Sequence, residues 1–132
     1  MKYILDTDIT IFLLRENKQV ISKLVTIDPN ELAVTSATVA ELLVGVHRKK
    51  SINQLNALER FFSNKLIFDF NFEAAQVFAR LKTHDLKNSP LDDMDLMIAS
   101  ICIVQNATLV TNNEKHFRRI KGLKIENWLK GN

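Results

Sequence analysis

The sequence predicts an α/β fold, a three-layer α/β/α sandwich with a short parallel sheet of four to five strands. Short apolar runs alternate with longer amphipathic segments, which is the pattern of strands joined by crossover helices. The runs are apolar throughout, as expected when helices cover both faces of a sheet. Only 3 Gly and 2 Pro occur in 132 residues, so long helices are favoured. One domain over residues 1–132 is expected, because that length hardly suffices for two.

Each element of the first half is predicted from an apolar run and the polar residues that bound it. In chain order these are strand 3–5, helix 9–15, helix 19–26, strand 31–35 and helix 37–49. The first strand ends at Asp6-Thr7-Asp8, where Thr7 or Asp8 can cap the helix that follows. The second helix stops before Asp28-Pro29, since the residue before a proline avoids the helical conformation. Ser36 can cap the third helix.

The second half continues the alternation. In chain order the predicted elements are helix 52–63, strand 66–68, helix 72–87, helix 92–105, strand 107–110 and a short strand 123–125. Helix 52–63 has apolar residues at helical spacing, and helix 72–87 is amphipathic. Helix 92–105 is apolar on nearly every side, so we expect it to be buried.

Composition limits the classes of protein that fit. The 18 Lys and Arg exceed the 15 Asp and Glu only modestly, and the excess is concentrated in the runs His47-Arg48-Lys49-Lys50 and Arg118-Arg119-Ile120-Lys121. The single cysteine, Cys102, lies in an apolar run and cannot form an internal disulfide, which fits a reducing compartment. No signal peptide begins the chain, and no apolar stretch approaches the ~20 residues of a membrane span. We expect a soluble, cytoplasmic protein with Cys102 in its core.

Polar residues follow the predicted strands where each strand ends. They are Asp6 and Asp8 after the first strand, Thr35 and Ser36 after the second, and Thr111, Asn112 and Asn113 after the fourth. Parallel strands joined by right-handed crossovers have their carboxyl ends at one edge of the sheet, where ligands bind in such folds. We therefore expect these side chains to meet at that edge, although each group alone could be a helix cap.

Two acidic residues stand in segments where a charge is unexpected. Glu41 is predicted to lie mid-helix among small or apolar neighbours, and Asp95 in the first turn of the most apolar helix. A buried carboxylate without a partner costs several kcal/mol or becomes protonated, so we expect a cation near Glu41. The alternatives are a local ion pair or an end-on exposed side chain for Glu41 and, for Asp95, a capping box with Asp92.

Asp6, Glu41 and Asp95 come from three separate segments that this fold can bring to one edge. Clustered carboxylates repel one another unless a cation neutralises them, and oxygen ligands suit Mg²⁺ or Mn²⁺. The 3 His residues are isolated from one another, which argues against a zinc site. An acidic Mg²⁺ site flanked by basic runs suits phosphodiester hydrolysis.

Four motifs in this order resemble the signature segments of PIN-domain ribonucleases, most closely those of the VapC toxins of bacterial toxin–antitoxin pairs. They are Ile4-Leu5-Asp6-Thr7-Asp8-Ile9, Thr38-Val39-Ala40-Glu41-Leu42, Met94-Asp95-Leu96-Met97-Ile98-Ala99 and Leu109-Val110-Thr111-Asn112-Asn113. The resemblance covers nearly the whole chain, to the ending Leu123-Lys124-Ile125-Glu126-Asn127-Trp128. It implies an α/β/α sandwich and Mg²⁺- or Mn²⁺-dependent cleavage of RNA.

By position, the resemblance makes Asp6, Glu41 and Asp95 the metal-binding catalytic acids. It implies a homodimer that is silenced by a cognate antitoxin, and a structured RNA, often tRNA, as the substrate. The residues expected to bind this RNA are Arg48, Lys49, Lys50, Arg118, Arg119 and Lys121.

The chain departs from the family pattern in two motifs. Asn113 stands where members often carry a fourth acid, and we expect it to complete the catalytic set through water. His116 stands where an acid sometimes follows, and Thr111 belongs to the same motif. Asp8 replaces the usual Asn and adds a carboxylate. Asp8, Thr111 and His116 are therefore expected to support the site.

One alternative function is a haloacid-dehalogenase-type phosphatase. The run Asp6-Thr7-Asp8-Ile9-Thr10 fits its Asp-x-Asp-x-Thr motif, with Asp6 as the nucleophile and Asp8 as the general acid. The last acids of that family should follow an apolar strand, whereas Asp92-Asp93 follow a polar loop. Glu41 would also have no role.

The other alternative is a non-catalytic module that only binds a partner. The first helix is apolar enough to serve as an interface, and we expect partner contacts through Ile9, Phe12 and Leu13.

Overall fold

The computed structural model describes residues 1–129, which contain a five-stranded sheet and seven α-helices. In chain order the elements are β1 (Tyr3–Leu5), α1 (Thr7–Leu14), α2 (Lys18–Leu24), β2 (Leu32–Thr35), α3 (Ser36–Lys49), α4 (Ile52–Phe62), β3 (Leu66–Phe68), α5 (Phe72–Arg80), α6 (Asp93–Gln105), β4 (Thr108–Val110), α7 (Glu114–Phe117) and β5 (Lys124–Glu126). The last three residues of the expected domain, 130–132, lie outside the described residues. Over residues 1–129, no helix has the length and apolar composition that crossing a bilayer requires.

The sheet is parallel throughout, with the strand order β3-β2-β1-β4-β5. From the central strand β1 the chain adds β2 and β3 on one side, then returns to add β4 and β5 on the other. The strand order therefore reverses between β1 and β4, and a crevice forms at the carboxyl edge where the crossovers diverge. The predicted α/β fold with a short parallel sheet is confirmed.

Helices cover both faces of the sheet because neighbouring strand residues point to opposite sides. Ile4 of β1 packs with α5 and α6 in one core, whereas Leu5 packs with α1, α2 and Trp128 in the other. Cys102 is fully buried in the first core, as predicted, and burial raises the pKa of its thiol. The two cores hold the strand ends, and the side chains that follow them, in fixed positions.

Several local features differ from the sequence prediction, among them the start of α1, which begins at Thr7 and not at Ile9. The helix predicted over 72–87 ends at Arg80 and passes into a single π turn, Leu81–Asp85. Thr35 rather than Ser36 caps α3, because the Thr35 hydroxyl accepts from a backbone N–H of the first turn. The sequence pattern does not predict α7, since four residues are too few to show helical periodicity.

The first helix buries part of the apolar surface that its sequence predicts for a partner, while Phe12 and Leu13 stay partly exposed. Ile9 is fully buried, and Phe12 and Leu13 pack against the core that contains Leu5. The expected partner surface is therefore wrong for Ile9. An apolar helix placed beside two other helices and a strand can bury more of its side chains than one sheet face alone would cover.

Candidate active site

The residues that follow β1 and β4 meet at the crevice. Leu5 pairs with Val110 in the sheet register, so Asp6 and Thr111 come next on neighbouring strands. Thr111 Oγ1 donates to Asp6 Oδ2 at 2.7 Å, and Thr7 N donates to Asp6 Oδ1 at 2.9 Å. Asp6 is only 4% exposed and is the N-cap of α1, whose positive end favours a negative charge. The register thus places a buried carboxyl group at the centre of the crevice.

Asp8 adds a second carboxyl group in the first turn of α1. Its Oδ1 accepts from Ile9 N at 2.6 Å, and its Oδ2 accepts from Asn112 N at 3.1 Å. Because Asp6 is the cap of α1, the capping alternative for Thr7 or Asp8 is wrong. Asp8 instead connects α1 to the segment that follows β4.

Glu41 reaches the crevice from the second turn of α3 and is half-buried. Thr7 Oγ1 donates to Glu41 Oε1 at 2.6 Å, and Thr38 Oγ1 lies 3.0 Å from Thr7 Oγ1. Since Thr7 has one hydroxyl proton and gives it to Glu41, Thr38 is the donor between the two hydroxyls. None of the ion pairs of residues 1–129 includes Glu41, so the local ion-pair alternative is wrong for this part of the chain.

Asp95 lies half-buried in the first turn of α6. Asp92 is the N-cap of this helix but makes no side-chain capping bond, and Asp93 binds Lys82 Nζ at 2.8 Å. The capping box considered for Asp95 is therefore not formed. Helix capping therefore does not explain why an acid stands at position 95.

The carboxyl groups of the crevice oppose one another's ionisation. Burial, together with the charges of Asp8 and Asp95, raises the pKa of Asp6 to about 7, although hydrogen bonds to both Asp6 oxygens act in the opposite direction. Burial also raises the pKa of Asp8. The pKa of Asp95 is raised by burial first and then by the charges of Asp92 and Glu41. Asp6, Asp8, Glu41 and Asp95 thus act electrostatically as one cluster.

The segment after β4 brings three further predicted residues to this cluster. Thr111 Oγ1, which donates to Asp6, accepts from Asn113 N at 2.9 Å. Asn113 Nδ2 lies 2.7 Å from His116 Nδ1, and because an amide nitrogen only donates, His116 Nδ1 is the acceptor. When His116 is protonated, its charge lowers the pKa of Asp95, so the imidazole interacts with the same cluster.

The oxygen donors fit a hard divalent cation in type, but they are not preassembled around a common point. Within residues 1–129, no group of three His, Cys, Asp or Glu side chains is arranged to hold an ion. Asp6 and Glu41 direct oxygens to hydroxyl and backbone donors instead. Side-chain rotations would be needed to turn the cluster into a coordination shell.

Comparison with known proteins shows which family has this fold and these motifs. The family model for the PIN domain matches residues 3–123. The chain belongs to the PIN-domain family. Ribonuclease VapC2 of Rickettsia felis is 36% identical over 97% of this chain and 98% of its own. The tRNA(fMet)-specific endonuclease VapC of Salmonella typhimurium is 29% identical over 97% of this chain and 98% of its own.

Solved structures of related complexes agree with this PIN-domain assignment. The crystal structure of VapBC2 from R. felis, bound to a DNA fragment from their promoter, matches with a TM-score of 0.89 at 36% identity and covers 97% of this chain and 99% of that chain. DNA-bound VapBC from S. typhimurium matches with a TM-score of 0.86 at 29% identity, and the match covers 97% of this chain and 98% of that chain. The protein is therefore a PIN-domain ribonuclease of the VapC type, a class that generally depends on a divalent metal. The phosphatase and the non-catalytic module are not favoured.

The first basic run of this PIN domain is free to contact a ligand. Arg48 and Lys49 lie exposed in the last turn of α3, and Lys50 follows as its left-handed C-cap. Arg48 is seven residues beyond Glu41, so the two share one face of the helix about 10 Å apart.

The second basic run is partly engaged within the PIN domain itself. Arg118 donates to Glu114 Oε1 at 3.3 Å. Arg119 donates to Ser89 O at 2.8 Å and also to Ser89 Oγ. Lys121 is exposed. Arg119 therefore holds the segment that leads into α6, a role that the sequence does not predict.

Sequence reasoning missed three side chains that support this site. Thr7 and Thr38 lie inside recognised motifs and form the hydroxyl chain to Glu41. Asn127 lies in the C-terminal motif and bonds to the segment after β4. The motifs mark these positions, but no local pattern indicates which partners the side chains contact.

Proposed function

We propose that this chain is the toxin of a toxin–antitoxin pair, an endoribonuclease that uses Mg²⁺ or Mn²⁺ to hydrolyse structured RNA, with tRNA as the first substrate class to test. The observation that carries the proposal is Asp6, a buried carboxyl group with a pKa of about 7 among other acids at the switch point of the sheet. The likeness to a tRNA(fMet)-specific endonuclease supports tRNA. The catalytic unit is the single PIN domain of residues 1–132.

In this proposal Asp6, Glu41 and Asp95 hold the divalent cation, and Asn113 completes the set through water. The donor chemistry fits, because carboxylate and amide oxygens are the ligands that hard divalent ions prefer. Once bound, the cation supplies charge neutralisation, Lewis acidity and an activated water. Asp8 lies beside Asp6 and adds negative charge to the site.

The chain's own residues orient these acids. Thr111 fixes one oxygen of Asp6, and Thr7 fixes one oxygen of Glu41, which leaves the other Glu41 oxygen for a ligand. His116 accepts at Nδ1, so its Nε2 is the atom able to donate to a phosphate or a leaving oxygen.

The proposed RNA contacts lie mainly on the basic run at the end of α3. Arg48, Lys49 and Lys50 carry no ion pair among the described residues and can bind the phosphate backbone. Lys121 adds charge near the other side of the crevice, whereas Arg118 and Arg119 contribute only as far as their internal bonds allow.

The proposed partners are an antitoxin and a second copy of this chain, in the cytoplasm. Support for the antitoxin comes from the VapBC complexes above and from VapBC-5 of Mycobacterium tuberculosis, a member of the VapBC family of toxin–antitoxin systems that is 25% identical with a TM-score of 0.69. Light scattering on the isolated chain measures whether it forms the dimer.

An RNA cleavage assay tests the proposal directly. The purified chain is freed of metal and incubated with total RNA that includes tRNA, with and without Mn²⁺. We expect discrete fragments only with the metal, and none from Asp95→Asn. Asp85→Asn, at an exposed aspartate of the π turn, serves as the charge-matched control and should cleave normally. Cleavage that persists in chelator, or in Asp95→Asn, would overturn the proposed metal site.

A further inference from the structure

The segment that follows β4, residues 111–116, carries much of the site, and its middle is exposed between two buried ends, Thr111 and Phe117. Asn112 and His116 are exposed, and Asn113 is half-buried. This segment nevertheless bonds to both adjacent acids, through Thr111 Oγ1 to Asp6 at 2.7 Å and through Asn112 N to Asp8 at 3.1 Å. Contacts to the exposed middle of the segment from outside therefore help to keep Asn112 at this distance from Asp8.

Asn127, which directly follows β5, makes two side-chain bonds to this segment. Its Nδ2 donates to Asn112 Oδ1 at 3.1 Å and to Glu114 Oε2 at 3.0 Å. Its Oδ1 accepts from Leu129 N at 2.9 Å. Both amide protons and the carbonyl oxygen are therefore used, a combination that a carboxylate, a hydroxyl or an apolar side chain of similar size cannot reproduce.

The residues on either side of Asn127 are fixed in the core and the sheet. Trp128 is 4% exposed, and its Nε1 donates to Glu126 Oε1 at 2.9 Å. The Trp128 ring lies 6.0 Å from the ring of Tyr3, centroid to centroid. Glu126 O accepts from Thr111 N at 3.0 Å, so the two segments are also joined through the backbone. Asn127 thus projects from a rigid support toward a less rigid one.

We infer that Asn127 is a positioning residue for the active site: it fixes residues 111–116, and through Asn112 and Thr111 it fixes the positions of the Asp8 and Asp6 carboxyl groups at the crevice. This inference rests on the proposed function, because it assigns a role toward the proposed metal site. Nothing about Asn127 places it in contact with the reacting atoms.

Asn127→Ala tests the inference by removing all three bonds. We expect Mn²⁺ affinity, measured by calorimetry, to weaken about tenfold, the usual effect of losing a partner that orients a ligand. In metal-free protein the amides of Asn112 and Asn113 should exchange hydrogen faster than in wild type. Asn112→Ala removes one of the bonds from the other side, and the double variant should bind Mn²⁺ no more weakly than Asn127→Ala alone.

Asn17→Ala is the matched control. Asn17 is also an asparagine with a backbone bond, from Val20 N at 3.1 Å, but it caps α2. Asn17→Ala should lower the melting temperature without changing the Mn²⁺ affinity or the hydrogen exchange of Asn112 and Asn113.

The results separate this inference from the proposed function. Wild-type protein that binds no Mn²⁺ would refute the proposed metal site, while the exchange rates would still decide whether Asn127 holds the segment. Wild type and Asn127→Ala with equal Mn²⁺ affinity and equal exchange would overturn the positioning role. If Asn127→Ala does not fold, Asn112→Ala tests the Asn127–Asn112 bond alone: unchanged Mn²⁺ affinity and unchanged exchange at Asn113 would then overturn the positioning role.

Discussion

Among single residues, Asp6 shows how the requirements of folding and of the site conflict. Its carboxyl group is almost fully buried next to other acids, so its ionised form is disfavoured although both oxygens accept hydrogen bonds. An apolar side chain would avoid this cost but could bind no cation. The metal-free protein is therefore expected to be less stable at pH values where Asp6 is ionised.

The pH dependence of stability follows from the sign of this shift. The folded-state pKa of Asp6 is about 7 against an ordinary value of 3.8, so the folded protein retains a proton that the unfolded chain has already lost. In chelator, the free energy of unfolding should fall as pH rises from about 4 to about 7, by at most ~4 kcal/mol, and level off above. Asp6→Asn should flatten this fall, as followed by urea unfolding at several pH values. Equal slopes in both proteins would contradict the burial of a titrating Asp6.

Glu41→Gln gives the sharpest test at the site, because only the nuclease function gives Glu41 a role. The substitution keeps the side chain's size and its acceptor for Thr7, but removes a charge and a good metal ligand. Cleavage should fall about 10²–10³-fold, equivalent to ~3–4 kcal/mol in the transition state, with metal-free stability unchanged or higher.

The measurement compares initial cleavage rates for wild type, Glu41→Gln and Glu59→Gln, the last at an exposed position of α4. Glu59→Gln should cleave at the wild-type rate. A fully active Glu41→Gln variant would remove this residue from the site.

Among the elements, α3 combines the two halves of the proposed chemistry. It begins at the carboxyl end of β2, capped by Thr35, and carries Glu41 near its start and the basic run at its end. Basic side chains in a last turn also interact favourably with the helix dipole, so their position has a structural explanation as well. Substitution of these basic side chains tests whether they bind RNA or only stabilise the end of the helix.

Arg48→Gln/Lys49→Gln should weaken RNA binding and reduce its salt dependence. Each lost phosphate contact lowers the slope of log affinity against log salt by about 0.7–0.9. Lys50 is left in place because it adopts a left-handed conformation with φ of 53°. Binding is measured on the non-cleaving Glu41→Gln background at several salt concentrations. Arg15→Gln/Lys18→Gln removes the same charge near the start of α2 and should leave the slope unchanged; an equal effect from both pairs would exclude a specific contact.

At the level of the whole molecule, the site connects helices on both sides of the sheet. Asp6 and Asp8 belong to the start of α1, Glu41 to α3 and Asp95 to α6, and only the crossover at the centre of the sheet brings these helices together. A cation bound among them would join three crossovers and would be present only in the folded state. Its binding energy then contributes to the stability of the entire domain.

Mn²⁺ or Mg²⁺ should therefore raise the melting temperature. Saturating metal is expected to add about 1–3 kcal/mol to the free energy of unfolding, following RT ln(1 + [L]/Kd). The gain should be larger at pH 8 than at pH 6, because protons compete for Asp6, Asp8 and Asp95. Thermal melts of wild type and Asp6→Asn across a metal titration measure it. Midpoints that do not move with metal in wild type would count against the site.

The sequence by itself determined the fold class and the positions of the acids. Strands such as Tyr3–Leu5 and helices such as α6 are encoded in local runs of apolar residues, and parallel crossovers place the ends of β1 and β4 at one edge. The oddity of Glu41 and Asp95 was visible because a charge in an apolar segment conflicts with its neighbours. Their role as metal ligands stays a prediction.

Only the tertiary structure decided which groups these acids contact, and which other residues are buried or support the site. Ile9 entered the core, Arg119 bonded to Ser89, and Thr7 and Asn127 became supports of the site. A hydrogen bond requires its two atoms to lie within about 3 Å of each other in a narrow range of angles. For residues such as Asn112 and Asn127, that distance is set by the packing of β4, β5 and Trp128, and the periodicity of a local segment does not contain it.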